Sequence, residues 1–183
     1  MSTNLKSSIE REKKLAEKIQ LDNVVKSLDR VPIDTRQMIF SMSKGMSELE
    51  IIQSFNQQAL DMFILVISIT KRTGKEKEYQ FTGYKALFDN AVKINNKLPL
   101  DKFTLIILEF AAEIYAEEEN CFLDMSIPDK EVNVGNEFGL IRSESFKILW
   151  KTLGRTDKEA LKENIILLTT YAHAFLYKTL LKN

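Results

Sequence analysis

Proline and glycine are scarce in this sequence: of its 183 residues, three are proline and six are glycine. Because these two residues form many tight turns, their scarcity leaves little room for a turn-rich β fold and favours helices. Cysteine and histidine occur once each. A single cysteine cannot form an intrachain disulfide, so we expect a reducing compartment and a cytoplasmic location.

Net charge is also lacking, because 26 basic residues balance 26 acidic ones. A neutral chain has no overall field that draws it to nucleic acid or to an anionic membrane. The longest apolar run, at 62–69, is far shorter than the ~20 residues that cross a bilayer, and the N-terminus has no apolar signal segment. We therefore expect no association with a membrane.

The charges are nevertheless segregated along the chain. Residues 71–102 carry eight basic and four acidic side chains, residues 109–131 carry one basic and eight acidic, and residues 142–183 carry eight basic and four acidic. Because the total is zero, we expect these segments to complement one another within the fold.

The clearest helix signal lies at 47–73. Ser47 and Glu50 form a capping-box pattern at its start, and Gly74 is suited to the left-handed conformation that ends a helix. Apolar residues between them recur at steps of three and four, and the run at 62–69 is apolar on every side. A helix of this kind is expected to be buried among others.

A second long helix is predicted at 157–182, and the two long helices are expected to pack side by side. Residues 101–119 read as one helix in which Glu109, Glu113 and Glu117 share a face, with Asn120 as its left-handed terminator. The fold class is therefore all-α, an irregular bundle of six to seven helices around the two long ones. A small β-hairpin is expected near 131–141, with an irregular loop as the alternative.

Residues 1–30 are highly charged and form a helical N-terminal arm, and residues 31–183 form a single helical domain. The arm carries a thin apolar stripe that has too few apolar residues to bury well. A second candidate contact is a methionine stripe, since methionine is adaptable, although such stripes more often fill gaps in a core. The two sets of partner-binding candidates are Leu5, Ile9, Ala16 and Ile19 in the arm, and Met38, Met42 and Met46.

Residues 36–60 carry a pattern with apolar residues at Ile39 and Met42, then Gly45-Met46-Ser47, then Ile51, Ile52 and Phe55. This pattern resembles the helix-turn-helix of bacterial regulators, which implies contact with duplex DNA. The sequence departs from that family because it continues into the apolar run without a turn and has no basic residue between Lys44 and Lys71. A plain packing corner is the preferred interpretation, with DNA binding as the alternative.

Residues 71–102, which we call the basic segment, offer a second candidate site for nucleic acid, because aromatic residues between cations can stack on bases. A solvated helix with core aromatics is the simpler interpretation. The cations of this candidate site are Lys71, Arg72, Lys75, Lys77 and Lys85, and the interleaved aromatics are Tyr79, Phe81 and Tyr84.

Signals for catalysis are weak. A histidine-based site would have to use His173, which lies on the flank of an apolar stripe, and no Glu-x-x-His pair accompanies it. Cys121 has no second cysteine nearby for zinc, and no glycine-rich phosphate loop occurs. We therefore expect no metal site and no cofactor.

The leading prediction is a non-enzymatic module for protein–protein interaction, assembly or regulation, with a protein partner or a second copy. The alternative is a nucleic-acid-binding regulator that uses 36–60 or the basic segment. An enzyme with a carboxylate or His173 site ranks lower.

Overall fold

The computed structural model describes residues 2–75, 81–118, 120–121, 138, 141 and 144–180. Helices hold 87% of these described residues, among which there are eight α-helices and no strand. The all-α prediction is confirmed. In chain order the helices are α1 (Ser2–Leu28), α2 (Ile33–Gly45), α3 (Glu48–Arg72), α4 (Phe81–Ile94), α5 (Leu98–Ile106), a 3₁₀ helix (Leu108–Phe110), α6 (Ala111–Tyr115), α7 (Glu144–Thr152) and α8 (Arg155–Leu180).

Helix α3 begins and ends as its sequence predicts. The backbone N–H of Glu50 donates to Ser47 Oγ at 3.1 Å, and the backbone N–H of Ser47 donates to Glu50 Oε2 at 2.7 Å. At the other end Gly74 has a φ of 70°. The expectation that the second half is buried on every side is wrong, because Ile64 is 51% exposed and Ser68 also faces outward. The helix keeps a solvent-facing strip along its whole length.

Helices α3 and α8 make the most extensive helix–helix contact in the described structure, and α2 packs on α8 while α4 packs on α3. The buried apolar residues of α8 include a stripe at steps of three and four: Leu161, Ile165, Leu168, Ala172 and Phe175. These contacts place two long, apolar helix faces at the centre of the protein, where burial of apolar area supplies most of the stability.

A cluster of phenylalanines fills the space beside α3. The ring of Phe103 lies 5.3 Å from that of Phe55 and 5.1 Å from that of Phe138, both edge to face, and Phe63 lies 5.3 Å from Phe88. Each such aromatic pair adds about 0.5–1.5 kcal/mol beyond its burial. Phe138 and Ile141 are the described residues of the segment 131–141, and the rest of the predicted hairpin lies outside the described residues.

The prediction of one helix over residues 101–119 is wrong. The helix starts at Leu98, ends at Ile106, and resumes as α6 after the 3₁₀ turn. Gln20 Nε2 donates to the carbonyl of Leu105 at 2.5 Å, and Arg30 Nη2 donates to the carbonyl of Glu109 at 3.1 Å. Side chains of the α1 region thus take up carbonyls beside the break, which lowers the cost of interrupting the helix.

The terminator of this region also differs from the prediction. Glu117, rather than Asn120, adopts the left-handed conformation, with a φ of 53°. The backbone N–H of Glu117 donates to Ile114 O at 3.0 Å and that of Glu118 donates to Glu113 O at 3.2 Å, which closes the end of α6.

Candidate functional site

The predicted N-terminal arm at 1–30 has an exposed part, residues 2–20 of α1, which is called the arm from here on and which presents the apolar stripe to solvent. Leu5 is 67% exposed, Ile9 57% and Ile19 54%, and Ala16 is exposed as well. Exposing several large apolar side chains on one helix face is unfavourable in free energy, because their apolar area remains in water. The four arm residues predicted to bind a partner are therefore brought together on one exposed face.

The arm stripe points away from the body of the protein. Helix α1 docks on α5, the 3₁₀ helix and α6. It does so through Val24 and Leu28, which are 1% and 4% exposed, and the half-buried Leu21. At 100° per residue, the centre of the arm stripe lies about 130° around the helix from this docking face. The stripe cannot reach the protein's own core without breaking α1.

The polar side chains of the arm are similarly unengaged. No ion pair is recorded for the charged residues from Lys6 to Lys18 within the described part of the chain, and Ser7 Oγ bonds only locally, to Asn4 O at 3.0 Å. The first contact with the body is that of Gln20 with the carbonyl of Leu105.

The methionine stripe does not form one exposed surface. Met38 is 64% exposed, whereas Met42 and Met46 are half-buried and pack against the core. The step of four residues from Met38 to Met42 rotates the side chain by about 40° toward the core, and Met46 lies beyond the end of α2 in extended backbone.

Between α2 and the end of α8 lies an open groove of about 630 Å³, which we call the α2 groove; its lining includes Ile33, Arg36, Phe40, Lys44 and Tyr177. Lys44 Nζ lies 4.5 Å from the centre of the Phe40 ring, whose centroid is 5.9 Å from that of Tyr177. The groove thus combines two cations with two aromatic rings.

His173 lies beneath this groove and is 0% exposed. Its ring is 4.5 Å from that of Tyr177, and its Nδ1 is 3.2 Å from Tyr115 Oη. Burial, with a smaller contribution from the Arg36 charge, lowers the pKa of His173 to about 4. Burial also raises the pKa of Tyr115, so that hydroxyl stays protonated at pH 7. The imidazole is neutral at pH 7, and the direction of its hydrogen bond with Tyr115 depends on which ring nitrogen carries the proton. No hydrogen-bond partner is recorded for Nε2.

The carboxylates proposed for catalysis do not share a helix face. Arg30 Nη1 donates to Glu113 Oε1, Glu109 lies in the 3₁₀ turn, and Glu117 has left the helix. The break after Ile106 is the reason. In the part of the chain that the structure describes, no group of three or more potential ligands is arranged to hold a metal. Cys121 is a buried free thiol.

The basic segment is partly engaged in ion pairs. Arg72 Nη2 lies 3.0 Å from Asp157 Oδ1, and Lys85 Nζ lies 2.9 Å from Asp89 Oδ2. Lys71 and Lys75 also have interactions. Phe81 is 2% exposed, so it cannot stack on a base without unfolding of its helix. Lys77 and Tyr79 lie outside the described residues, and Tyr84 packs half-buried on the core.

The segment 36–60 forms a corner between α2 and α3. Ile51 and Phe55 are 0% exposed, and α3 runs unbroken to Arg72. The exposed side chains of α3 between Glu50 and Asp61 are Glu50, Gln53, Gln57 and Asp61. This face therefore carries two acids and two amides but no arginine or lysine to contact DNA.

Sequence reasoning missed the α2 groove. Ile33, Arg36, Phe40 and Lys44 recur along α2 at steps of three and four, which is a visible signal of a shared face. Tyr177 comes from the other end of the chain, and only its packing against Phe40 completes the groove.

These features define an all-α protein, and no helix within its described ranges is long and apolar enough to span a membrane. No family model matches the chain, and no solved structure matches it. It is 57% identical over 166 residues to "Uncharacterized protein R465" of Acanthamoeba polyphaga mimivirus, a match that covers 91% of this chain and 92% of the relative. The chain belongs to the same family as that mimivirus protein.

Proposed function

We propose that this protein is a non-enzymatic module for protein–protein interaction or assembly, and that the N-terminal arm is its contact surface. The observation that carries the proposal is the apolar stripe of the arm, exposed and turned away from the protein's own core. Full burial of a leucine or isoleucine side chain contributes about 1.5–3 kcal/mol, so Leu5, Ile9 and Ile19 together can support specific binding.

The arm is prepared for helix-in-groove or helix-on-helix recognition. An isolated helix of this length is marginal in water, because nucleation costs more than the first hydrogen bond returns. Here residues 21–28 are held on the body and continue directly into the arm, so the nucleus exists before a partner arrives. Preorganisation of this kind lowers the entropic cost of binding.

The charges beside the stripe describe the partner that fits it. On the helical wheel, Lys13 and Lys6 lie about 40° and 60° beyond one edge of the stripe, and Glu12 lies within it. Arg11 and Lys18 are about 80° and 100° beyond the other edge. Two arms paired antiparallel would bring their Lys6 and Lys13 edges together, where like charges repel. A helix with an acidic edge suits this surface better than a second arm, so a different protein or another region of a second copy is the favoured partner.

The other candidate contacts fit an interaction surface less well. Met42 and Met46 already pack on the core, which leaves Met38 alone outside. The basic segment has Phe81 buried and two of its cations in ion pairs. Nucleic-acid binding is the alternative function, followed by an enzyme with a carboxylate or His173 site. We propose a cytoplasmic location.

A double variant of the arm tests the proposal. Ile9→Asn with Ile19→Asn removes two of the three large apolar side chains of the stripe without touching the docking face of α1. We expect it to lose partner proteins captured from host lysate after nuclease treatment, or to lower the oligomeric mass measured by light scattering. The matched control, Glu10→Gln with Glu17→Gln, changes the opposite face of the same helix segment and should retain both.

Unchanged capture and unchanged mass in the isoleucine variant would remove the arm as the contact surface. If capture depends on nucleic acid, duplex and single-stranded probes should bind at low salt and dissociate steeply as salt rises. That result would favour the nucleic-acid alternative over the proposal.

A further inference from the structure

We propose that the α2 groove binds a small aromatic oxyanion, a ligand with a flat apolar body that carries a carboxylate or a phosphate. The proposal does not depend on the arm, because the two surfaces share no residue. It rests on two under-neutralised cations, on the aromatic rings between and beside them, and on the size of the groove.

The two cations lack tight carboxylate partners. Arg36 Nη1 lies 3.8 Å from Asp29 Oδ1, whose side chain is 82% exposed, and Arg36 Nε is buried without a hydrogen-bond partner. Among the described residues, no ion pair is recorded for Lys44, which instead lies over Phe40. A buried donor without a partner is costly, and a guanidinium is the group best shaped to hold a carboxylate or phosphate. The Arg36 side chain is 31% exposed and lines the groove, where its guanidinium can bind an oxyanion.

The aromatic residues define the rest of the ligand. Arg36 and Lys44 are eight residues apart on α2, roughly 12 Å at 1.5 Å per residue, and Phe40 lies between them. Tyr177 stands opposite at 5.9 Å from Phe40, and Ile33, 62% exposed, continues the apolar wall. The groove is open to solvent, and its volume of about 630 Å³ leaves room for a small aromatic ligand. A bare ion would leave these apolar surfaces wet, whereas an aromatic body would cover them.

His173 gives this site a built-in reporter. It is the single histidine of the chain, and its ring lies 4.5 Å from that of Tyr177, which lines the groove. Ring currents from Tyr177 act on its Hε1 proton, so a ligand that displaces Tyr177 changes one unambiguous NMR resonance. His173 itself is fully buried and does not contact the ligand.

The experiment is a titration of the full chain at pH 7, followed by the His173 Hε1 resonance and by calorimetry. The probes are phenyl phosphate, phenylacetate, inorganic phosphate and benzyl alcohol. We expect saturable binding and a shifted resonance with the two aromatic oxyanions, and affinity lower by about tenfold or more for the ion or the ring alone. The tighter of the two oxyanions identifies phosphate or carboxylate as the preferred group.

Variants assign the binding to the groove. Arg36→Gln and, separately, Lys44→Gln should each weaken the bound aromatic oxyanion about tenfold or more, while Arg36→Lys should retain part of the affinity. The control Lys93→Gln removes an exposed cation of α4 outside the groove and should bind as the natural protein does. Lys44 is exposed, so its variant keeps the test decisive if Arg36→Gln fails to fold.

Two results would overturn the proposal: no saturable shift with either aromatic oxyanion at millimolar concentration, or unchanged affinity in folded Arg36→Gln and Lys44→Gln. The variant Ile9→Asn with Ile19→Asn separates this site from the arm, because it should bind the probes normally even where partner capture is lost.

Discussion

Helices α1 and α8 have nearly the same length, 27 and 26 residues, and opposite surroundings. Nine residues of α8 are buried, and the helix packs against both α2 and α3. In α1 every residue from 4 to 20 is exposed, and only the last turns dock. Length alone therefore says nothing about what a helix contributes to the core.

The difference separates two sources of helical order. Helix α8 is held by burial of apolar area, which applies only when the rest of the protein is folded. The arm is held by intrinsic propensity and by its continuation into a docked segment. We expect the arm to open locally at low cost, while α8 opens only with the whole protein.

The largest expected effect contrasts matched leucines. Leu168→Ala removes a fully buried side chain of α8 and should lower the free energy of unfolding by about 2–5 kcal/mol. Leu15→Ala removes a side chain of the arm that is 59% exposed, and it should change the free energy of unfolding by less than about 0.5 kcal/mol. Urea unfolding of both variants measures the contrast, and equal losses would show that the arm packs in solution.

The second prediction concerns pH and the single histidine. Its pKa is about 4 when folded and 6.5 when free, so the unfolded chain binds the extra proton between these values. Stability from this group is complete above pH 6.5 and is lost as pH falls, by about 2 kcal/mol between pH 7 and pH 5. His173→Gln should flatten that part of the urea-derived stability curve; a slope that persists in this variant would assign the effect elsewhere.

The smallest effect is expected where the two kinds of helix meet. Gln20→Ala removes the hydrogen bond to the carbonyl of Leu105 and should cost about 0.5–1.5 kcal/mol. Hydrogen exchange should quicken in residues 21–28 and around 105–110, with α8 unchanged. Lys14→Ala, a change in the arm before the first docked residue, is the control; equal effects of the two substitutions would argue against this attachment point.

Local signals in the sequence were sufficient for α3 and α8. The capping pair Ser47 and Glu50, the left-handed Gly74 and the stripe of α8 all depend on residues a few positions apart. The break after Ile106 was not predictable in this way, because its carbonyls are contacted by side chains 85 and 79 positions away along the chain.

The candidate sites differ in the same way: one depends on residues close in sequence, and the other on residues far apart in sequence. The stripe of the arm is visible in the sequence, and the structure adds only the direction in which it faces. The α2 groove depends on Phe40 meeting Tyr177, two residues from opposite ends of the chain. The burial of His173 also depends on partners from α2 and α6, so the sequence indicated its apolar neighbours but not its complete enclosure.

Because α1 is unbroken from Ser2 to Leu28, the number of residues in the arm fixes both the distance and the direction at which it presents the stripe. Its reach from Gln20 to the tip is roughly 27 Å, and its length is coupled to its angular phase. Removing seven residues would draw a partner in by roughly 10 Å and keep the stripe on nearly the same side. Removing two would shorten the reach by only about 3 Å yet turn the stripe by about 160°, to the opposite side of the molecule.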